Sequence, residues 1–309
     1  MESYPRNLVE FENWFSTEDS CLQYLRELRW PNGFVCPVCN EMRSWRIRPG
    51  LDECASCGRQ TSVIAGTIFQ DSKKPISLWF RAMWHITSQK YGANALGLQR
   101  VLGLGSYRTA WAWLHKLRRA MVRPGRDHLS GAVEVDETFI GAAKPGRRGR
   151  GAEGKKLVLI AAQEDGKRIG RIRLMCVPNA SAAALQQAIE KMVVPGSIVR
   201  TDGWKGYHSL NAVGYRHEVQ RSDGAVGENL LPKCHRVAGL LKRWLDGTMH
   251  GAVSPQYLDY YLDEYTFRFN RRTSTHRGKL FYRLAQQAVV IPPIPVEDMK
   301  QKPNGNHNM

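Results

Sequence analysis

Two sets of residues in this 309-residue sequence have types and spacings suited to chemistry. The first is made of thiols. Cys36-Pro-Val-Cys39 is followed, after fourteen residues, by Cys54-Ala-Ser-Cys57 and then Gly58. Two such doublets can set four thiolates tetrahedrally around one zinc ion, tying together two hairpins too small to hold a core of their own. The second set is made of carboxylates. Asp136 stands in the middle of Ala132–Ile140, a stretch that alternates like a strand, where a carboxylate is unfavourable unless it faces a solvent cavity or a metal. Asp202 follows the strand-like stretch Ser197–Thr201 at Thr-Asp-Gly. Carboxylates delivered from neighbouring strand ends can bridge two hard cations that activate a water or a 3′-hydroxyl in phosphodiester chemistry. Taken singly, each is better read as structure, Asp202 as a turn cap and Asp136 as an edge-strand residue. Behind a zinc ribbon on a basic chain, the pair favours metal.

The elements that must position these groups divide the chain. Residues 1–30 read as an N-terminal helical segment and residues 31–66 as the zinc ribbon. Residues 67–123 carry three apolar patterns of helical spacing, with a glycine turn at Gly103–Gly105 between the last two. The final pattern ends in Lys116, Arg118, Arg119 and Arg123, so the region resembles a helix-turn-helix whose tryptophans belong to its core. After a polar break at Pro124–Ser130, residues 131–290 present three strands, an Ala-rich helix from Ser181 to Val193, a further strand, and then more strand and helix. That order is the one of an RNase H-like domain, an α/β layer fold. Lys144–Lys156 reads as an exposed basic loop, either along a phosphate backbone or at a solvated hairpin tip. Arg268, Asn270, Arg271 and Arg272 either touch phosphate or end a helix with charge that complements its dipole. Cys21, Cys176 and Cys234 read as ordinary small buried residues. Residues 291–309, rich in Pro, Asn and Lys, read as a disordered tail.

Composition narrows the partners. The formal net charge is +17 and the sequence pI about 9.8, which favours a polyanion through counterion release. No apolar run approaches the roughly 18 residues of a membrane span, and Met1–Ser20 lacks the basic start and apolar stretch of a signal peptide. An odd number of cysteines, four of them in close doublets, fits thiols kept reduced in the cytoplasm. The expectation is a DNA-binding protein with no membrane partner.

Six motifs then stand in one order: C-P-V-C with C-A-S-C, A-G-T-I-F-Q leading to L-W-F-R-A-M-W, V-E-V-D-E-T-F-I-G, T-D-G-W-K-G-Y, H-R-V-A-G-L-L-K-R-W-L, and Y-L-D-E-Y-T-F-R-F-N-R-R. From Leu8 to about Val290 the chain resembles insertion-sequence transposases of the ISXO2-like family. The resemblance implies cleavage and strand transfer at the element's terminal inverted repeats, dependence on Mg²⁺ or Mn²⁺, and action on double-stranded inverted-repeat and target DNA as a homo-oligomer. It also matches Asp136 and Asp202 to the first two metal ligands. At the third position the chain departs from an acidic triad: His235 stands there, with Lys242 seven residues on and on the same helical face. Imidazole is softer than carboxylate and should tolerate Mn²⁺, and Lys242 suits a phosphate better than a metal. Glu228, Asp246 and Glu137 are acidic alternatives, although Glu137 should point to the opposite face of its strand from Asp136.

An inactive remnant that only binds DNA is the competing reading, and the presence of both Asp136 and Asp202 favours activity. A zinc-ribbon transcription accessory factor would explain residues 31–123 but leaves V-E-V-D-E-T and T-D-G-W-K-G-Y without a role.

Overall fold

The first helices are fixed by their caps. In the computed structural model, which describes residues 2–141, 155–221, 229–249 and 253–299, the Asn7 side chain caps α1 (Leu8–Trp14), and Thr17 with Ser20 forms a reciprocal capping box on α2 (Glu18–Arg29). Three short strands, β1 (Ser44–Arg48), β2 (Leu51–Cys54) and β3 (Gln60–Ser62), pair antiparallel in that order and carry the cysteine knuckles. Then come α3 (Ile76–Ser88), α4 (Ala95–Leu102) and α5 (Tyr107–Ala120). Gly103, at φ 61°, ends α4 in the left-handed region, and Ser106 caps α5 two residues after Leu104. The helix-turn-helix-like arrangement expected here is present. Its tryptophans are core residues: Trp79 and Trp113 stack with ring centroids 3.8 Å apart. Arg118 does not belong to a basic surface, because it is buried and donates to the Ala93 carbonyl at 3.0 Å.

Beyond Pro124 the alternation of apolar residues builds a second sheet. It contains β4 (Ala132–Ile140), β5 (Lys156–Asp165), β6 (Arg168–Val177), β7 (Ile198–Thr201) and β8 (Arg216–Val219), in the spatial order β6-β5-β4-β7-β8. β5 is antiparallel to both β4 and β6, while β7 runs parallel to β4 and β8 parallel to β7. This is the RNase H-like topology, and it places β4 in the centre of the sheet and not at its edge. Val133 and Val135 face one core with α6 (Ala182–Glu190) and the 3₁₀ helix Lys205–Val213. Ile140 faces the other core, which is built with α7 (Pro232–Met249) and α8 (Leu258–Phe269). Helices on both faces bury the sheet as a three-layer α/β domain.

The last helix, α9 (Gly278–Ala288), does not join that sheet. It packs against α2, α3 and α5, where Phe281 meets Phe11 and Phe80 edge-on and Phe15 at a tilt. Gly278 is required there, since a Cβ at this position would lie 1.4 Å from the Pro5 carbonyl oxygen. The chain accordingly divides into two compact units, Met1–Pro124 with Thr273–Met309, and Gly125–Arg272. The boundary expected at residue 290 assigns α9 to the RNase H-like domain, whereas its partners α2, α3 and α5 belong to the first unit; helical periodicity marks an apolar face without saying what covers it. Residues 291–299 are also more ordered than their composition suggests, with Ile291 and Met299 buried. Residues 300–309 and most of the basic loop Lys144–Lys156 lie outside the described residues.

Candidate functional site

In the ribbon, each knuckle turns through a left-handed residue placed directly after its second cysteine: Asn40 at φ 60° and Gly58 at φ 67°. In each turn that residue's N–H donates to the carbonyl of the first cysteine, Asn40 to Cys36 at 3.0 Å and Gly58 to Cys54 at 3.1 Å. The two turns bring the Sγ atoms of Cys36, Cys39, Cys54 and Cys57 within 4.8 Å of one another. Cys36 and Cys57 are 3.6 Å apart, and Cys39 and Cys54 3.5 Å. Backbone N–H groups of Cys39 and Val38 hold the Cys36 thiol down to about 6, while the Cys39 and Cys57 thiols are pushed up among the neighbouring sulfurs, so one thiolate forms readily and the remaining protons would be displaced by a metal. Four sulfur donors so spaced fit tetrahedral zinc.

In the second unit, the sheet register brings the two aspartates near each other. The last ladder pair between β4 and β7 is Glu134 with Arg200. Two residues further along the chain in each case stand Asp136, inside β4, and Asp202, just past the end of β7, near enough for the charge of Asp202 to act on Asp136. Asp202 caps its own turn as well, one oxygen accepting from the Trp204 N–H at 3.0 Å. Asp136 Oδ1 accepts from the Glu137 N–H at 2.9 Å, and Oδ2 lies 3.3 Å from His235 Nε2 on α7. Burial pushes the Asp136 carboxyl up to about 6, helped by the charge of Glu137 and, more weakly, that of Asp202.

His235 is half exposed, and its Nδ1 bonds the side-chain oxygen of Asn229. An amide oxygen can only accept, so Nδ1 carries a proton; in the neutral ring Nε2 then turns a lone pair toward Asp136, and in the imidazolium it donates to that carboxylate. Two lone pairs facing at that distance call for a proton or a cation between them, and a histidine that ligates metal characteristically donates its other N–H to an outer partner in this way. The donor set and its geometry thus fit a hard or borderline divalent cation. Among the described residues only the four cysteines converge within 4.8 Å as a ready-made cluster; Asp202 acts on Asp136 through its charge.

The alternatives fall elsewhere. Glu137 points to the opposite face of β4, where it accepts from the buried Tyr207 hydroxyl. Asp246 is exposed on α7 eleven residues from His235, about 16 Å along the helix axis, beyond the reach of a shared ion. Glu228 lies outside the described residues. Lys242 is exposed about 10 Å along α7 from His235, on the same side of the helix. The residues after α8 are structural. Asn270 pairs with both backbone groups of Ile172 on the sheet-edge strand β6, at 2.7 and 3.1 Å, Arg268 pairs with Glu264, and Arg271 and Arg272 bond backbone carbonyls. Cys21 and Cys234 are buried as expected, and Cys176 is half-buried. Sequence reasoning passed over Asn229 and Glu134. Asn229 stands in a loop with no pattern around it, and Glu134 is indistinguishable in sequence from any polar strand position.

A zinc ribbon followed by an RNase H-like domain is the arrangement of a nucleic-acid enzyme, and the family matches put this chain among the transposases. Residues 128–270 match the ISXO2-like transposase domain, and residues 16–60 match the transposase zinc-ribbon domain. Both matches are to transposase domains, and over these two segments, in the same order, the chain is similar to ISXO2-like insertion-sequence transposases. It is 27% identical over 278 residues to a Halobacterium salinarum protein named "Uncharacterized protein in transposable element ISH50", covering 82% of this chain and 91% of the relative. Among solved structures it is similar to a chain of the simian T-cell lymphotropic virus intasome in complex with PP2A regulatory subunit B56 gamma (13% identity, 69% of this chain and 77% of that one, TM-score 0.32). It is also similar to a chain of the Mos1 strand transfer complex (14% identity, 72% and 80%, TM-score 0.31). No described helix is long and apolar enough to cross a membrane.

Proposed function

We propose that this transposase binds the terminal inverted repeats of its element in the cytoplasm and cleaves and joins DNA there, with Asp136, Asp202 and His235 holding Mg²⁺ or Mn²⁺ and the four cysteines holding one zinc. The observation that carries this is the meeting of Asp136 Oδ2 with His235 Nε2 at 3.3 Å, one strand away from Asp202. Asp136, Asp202 and His235 would hold the divalent cation, which would supply a lowered pKa for a water or 3′-hydroxyl and stabilisation of the leaving oxygen. Asp136 would give up its proton to the solvent on binding such a cation, since burial raises its carboxyl to about 6 without one. Asn229 fixes the His235 tautomer so that Nε2 faces the ion. Lys242, two turns along α7, is placed for a phosphate oxygen of the same strand. The net positive charge supplies sequence-independent attraction to DNA, and a homo-oligomer brings two element ends and the target together.

The test is cleavage of inverted-repeat DNA beside a gel shift on the same duplex. Asp136→Ala and Asp202→Ala should each lose cleavage while still shifting DNA. His235→Ala should be severely impaired, His235→Glu should retain Mg²⁺ activity, and Asp246→Ala should cut normally. Active Asp136→Ala or Asp202→Ala protein would sink the reading. An inactive Asp246→Ala beside an active His235→Ala would overturn the third ligand alone.

A further inference from the structure

Two residues before Asp136, on the same face of β4, stands Glu134, a buried carboxylate. Its Oε2 accepts from the backbone N–H groups of Lys233 and Cys234 at 2.8 and 3.1 Å, and its Oε1 takes the Lys233 ammonium at 3.1 Å. Lys233 and Cys234 lie in the first turn of α7 and immediately precede His235. The two elements that carry Asp136 and His235 are therefore fastened to each other one pleat below the place where those side chains meet. The first-turn N–H groups of a helix have no intrahelical partner and form its positive end, so a carboxylate that takes two of them fixes both the helix's position and its rotation about its own axis. The Lys233 ammonium is itself held from a second side by Glu164 of β5, at 3.4 Å. Glu164 is bonded in turn to Arg200 at 2.7 Å, and Arg200 to Glu218 at 3.0 Å. This chain of charges runs across four strands, and none of it is explained by binding DNA or by the hydrophobic core.

We infer that Glu134 is a positioning residue that sets the register of α7 on β4 and so delivers His235 Nε2 to Asp136. The inference rests on the cation site proposed above. A rotation of one residue about the α7 axis would turn His235 by about 100° and take Nε2 off the carboxylate. Such a requirement accounts for an acidic residue in a buried strand position that an apolar residue would otherwise fill.

The experiment uses the full-length protein with three readouts: amide hydrogen exchange at Lys233 and Cys234, Mn²⁺ binding by calorimetry, and cleavage of inverted-repeat DNA. Glu134→Ala should keep its zinc content and DNA binding, exchange faster at those two amides, and bind Mn²⁺ about 10- to 100-fold more weakly, the usual loss when the support of a metal ligand is removed. Glu134→Gln keeps an oxygen for the two amides and should lie within about threefold of wild type in Mn²⁺ affinity, a rescue that general destabilisation would not give. If Glu134→Ala fails to fold, Glu134→Asp, one methylene too short to reach α7, should fold and show the same weakened Mn²⁺ binding. Wild-type exchange and Mn²⁺ affinity in Glu134→Ala or Glu134→Asp overturns the inference, as does a Glu134→Gln protein as impaired as Glu134→Ala. Asp136→Ala run in parallel separates the two claims. Unchanged Mn²⁺ binding in that variant sinks the proposed cation site, whereas faster exchange in Glu134→Ala still upholds the anchor.

Discussion

Asp136 carries a charge that the metal-free fold disfavours. Its carboxyl, ordinarily near 3.8, is pushed up to about 6 by burial and then by Glu137. A carboxyl that holds its proton more tightly folded than unfolded contributes stability that is fully present below the unfolded value and lost as pH rises through the folded one. Without Mg²⁺ or Mn²⁺, Asp136→Asn and wild type should therefore have similar urea midpoints at pH 4. At pH 8 the variant should be more stable by on the order of 2 kcal/mol. A wild type as stable as the variant at pH 8 would mean that burial does not burden this carboxylate. The same cost made the residue legible in the sequence, because an acidic side chain in the middle of a strand needs a reason. His235 was reachable only through the family resemblance and the helical spacing to Lys242. Glu134 raises the same question from the same strand, but its answer was not legible: its partners lie 99 and 100 residues away, and no local pattern announces that α7 arrives there.

At the level of elements, the ribbon is the part most directly written in the sequence, since two C-x-x-C doublets leave few other structures open. The glycine after the second doublet was visible too, and its use is the left-handed turn at φ 67°. Asn40 does the same work in the first knuckle, asparagine being among the few residues that tolerate this conformation. Gly58→Ala, whose Cβ would meet nothing within 4 Å, should cost only the conformational penalty of about 1 kcal/mol, and Asn40→Gly should be close to neutral. Thermal melts can check both. Zinc content is the sharper measure: one ion per chain in wild type and in Asn40→Gly, none in a Cys36→Ser, Cys54→Ser double variant. Zinc retained in the double variant would remove the four-thiolate site. The three helices between Ile76 and Ala120 followed from spacing, but the roles of their cations did not. Arg118 sits among surface-looking neighbours and is buried because the Ala93 carbonyl needs a donor.

For the whole molecule, the consequential fact is that the first unit is assembled from both ends of the described chain. A fragment of residues 1–124 lacks α9 and would leave Phe11, Phe15 and Phe80 without Phe281. It should melt without cooperativity or aggregate, and adding residues 273–299 in trans should restore a cooperative transition, which circular dichroism can follow. A fragment of residues 1–124 that folds cooperatively alone would show α9 to be dispensable. Sequence order could not reveal this, because helical periodicity marks a buried face without saying what buries it. The placement of Phe281 also fixes an order of events during synthesis. Chains emerge from the ribosome starting at the N-terminus, and domains generally fold as they emerge. Here the RNase H-like unit is complete once Arg272 is out, while the ribbon-bearing unit must wait for α9. A nascent or prematurely terminated chain that ends before Gly278 therefore carries the strands with Asp136 and Asp202 but an unfinished zinc-ribbon and helix-turn-helix unit, so only chains translated through α9 complete both.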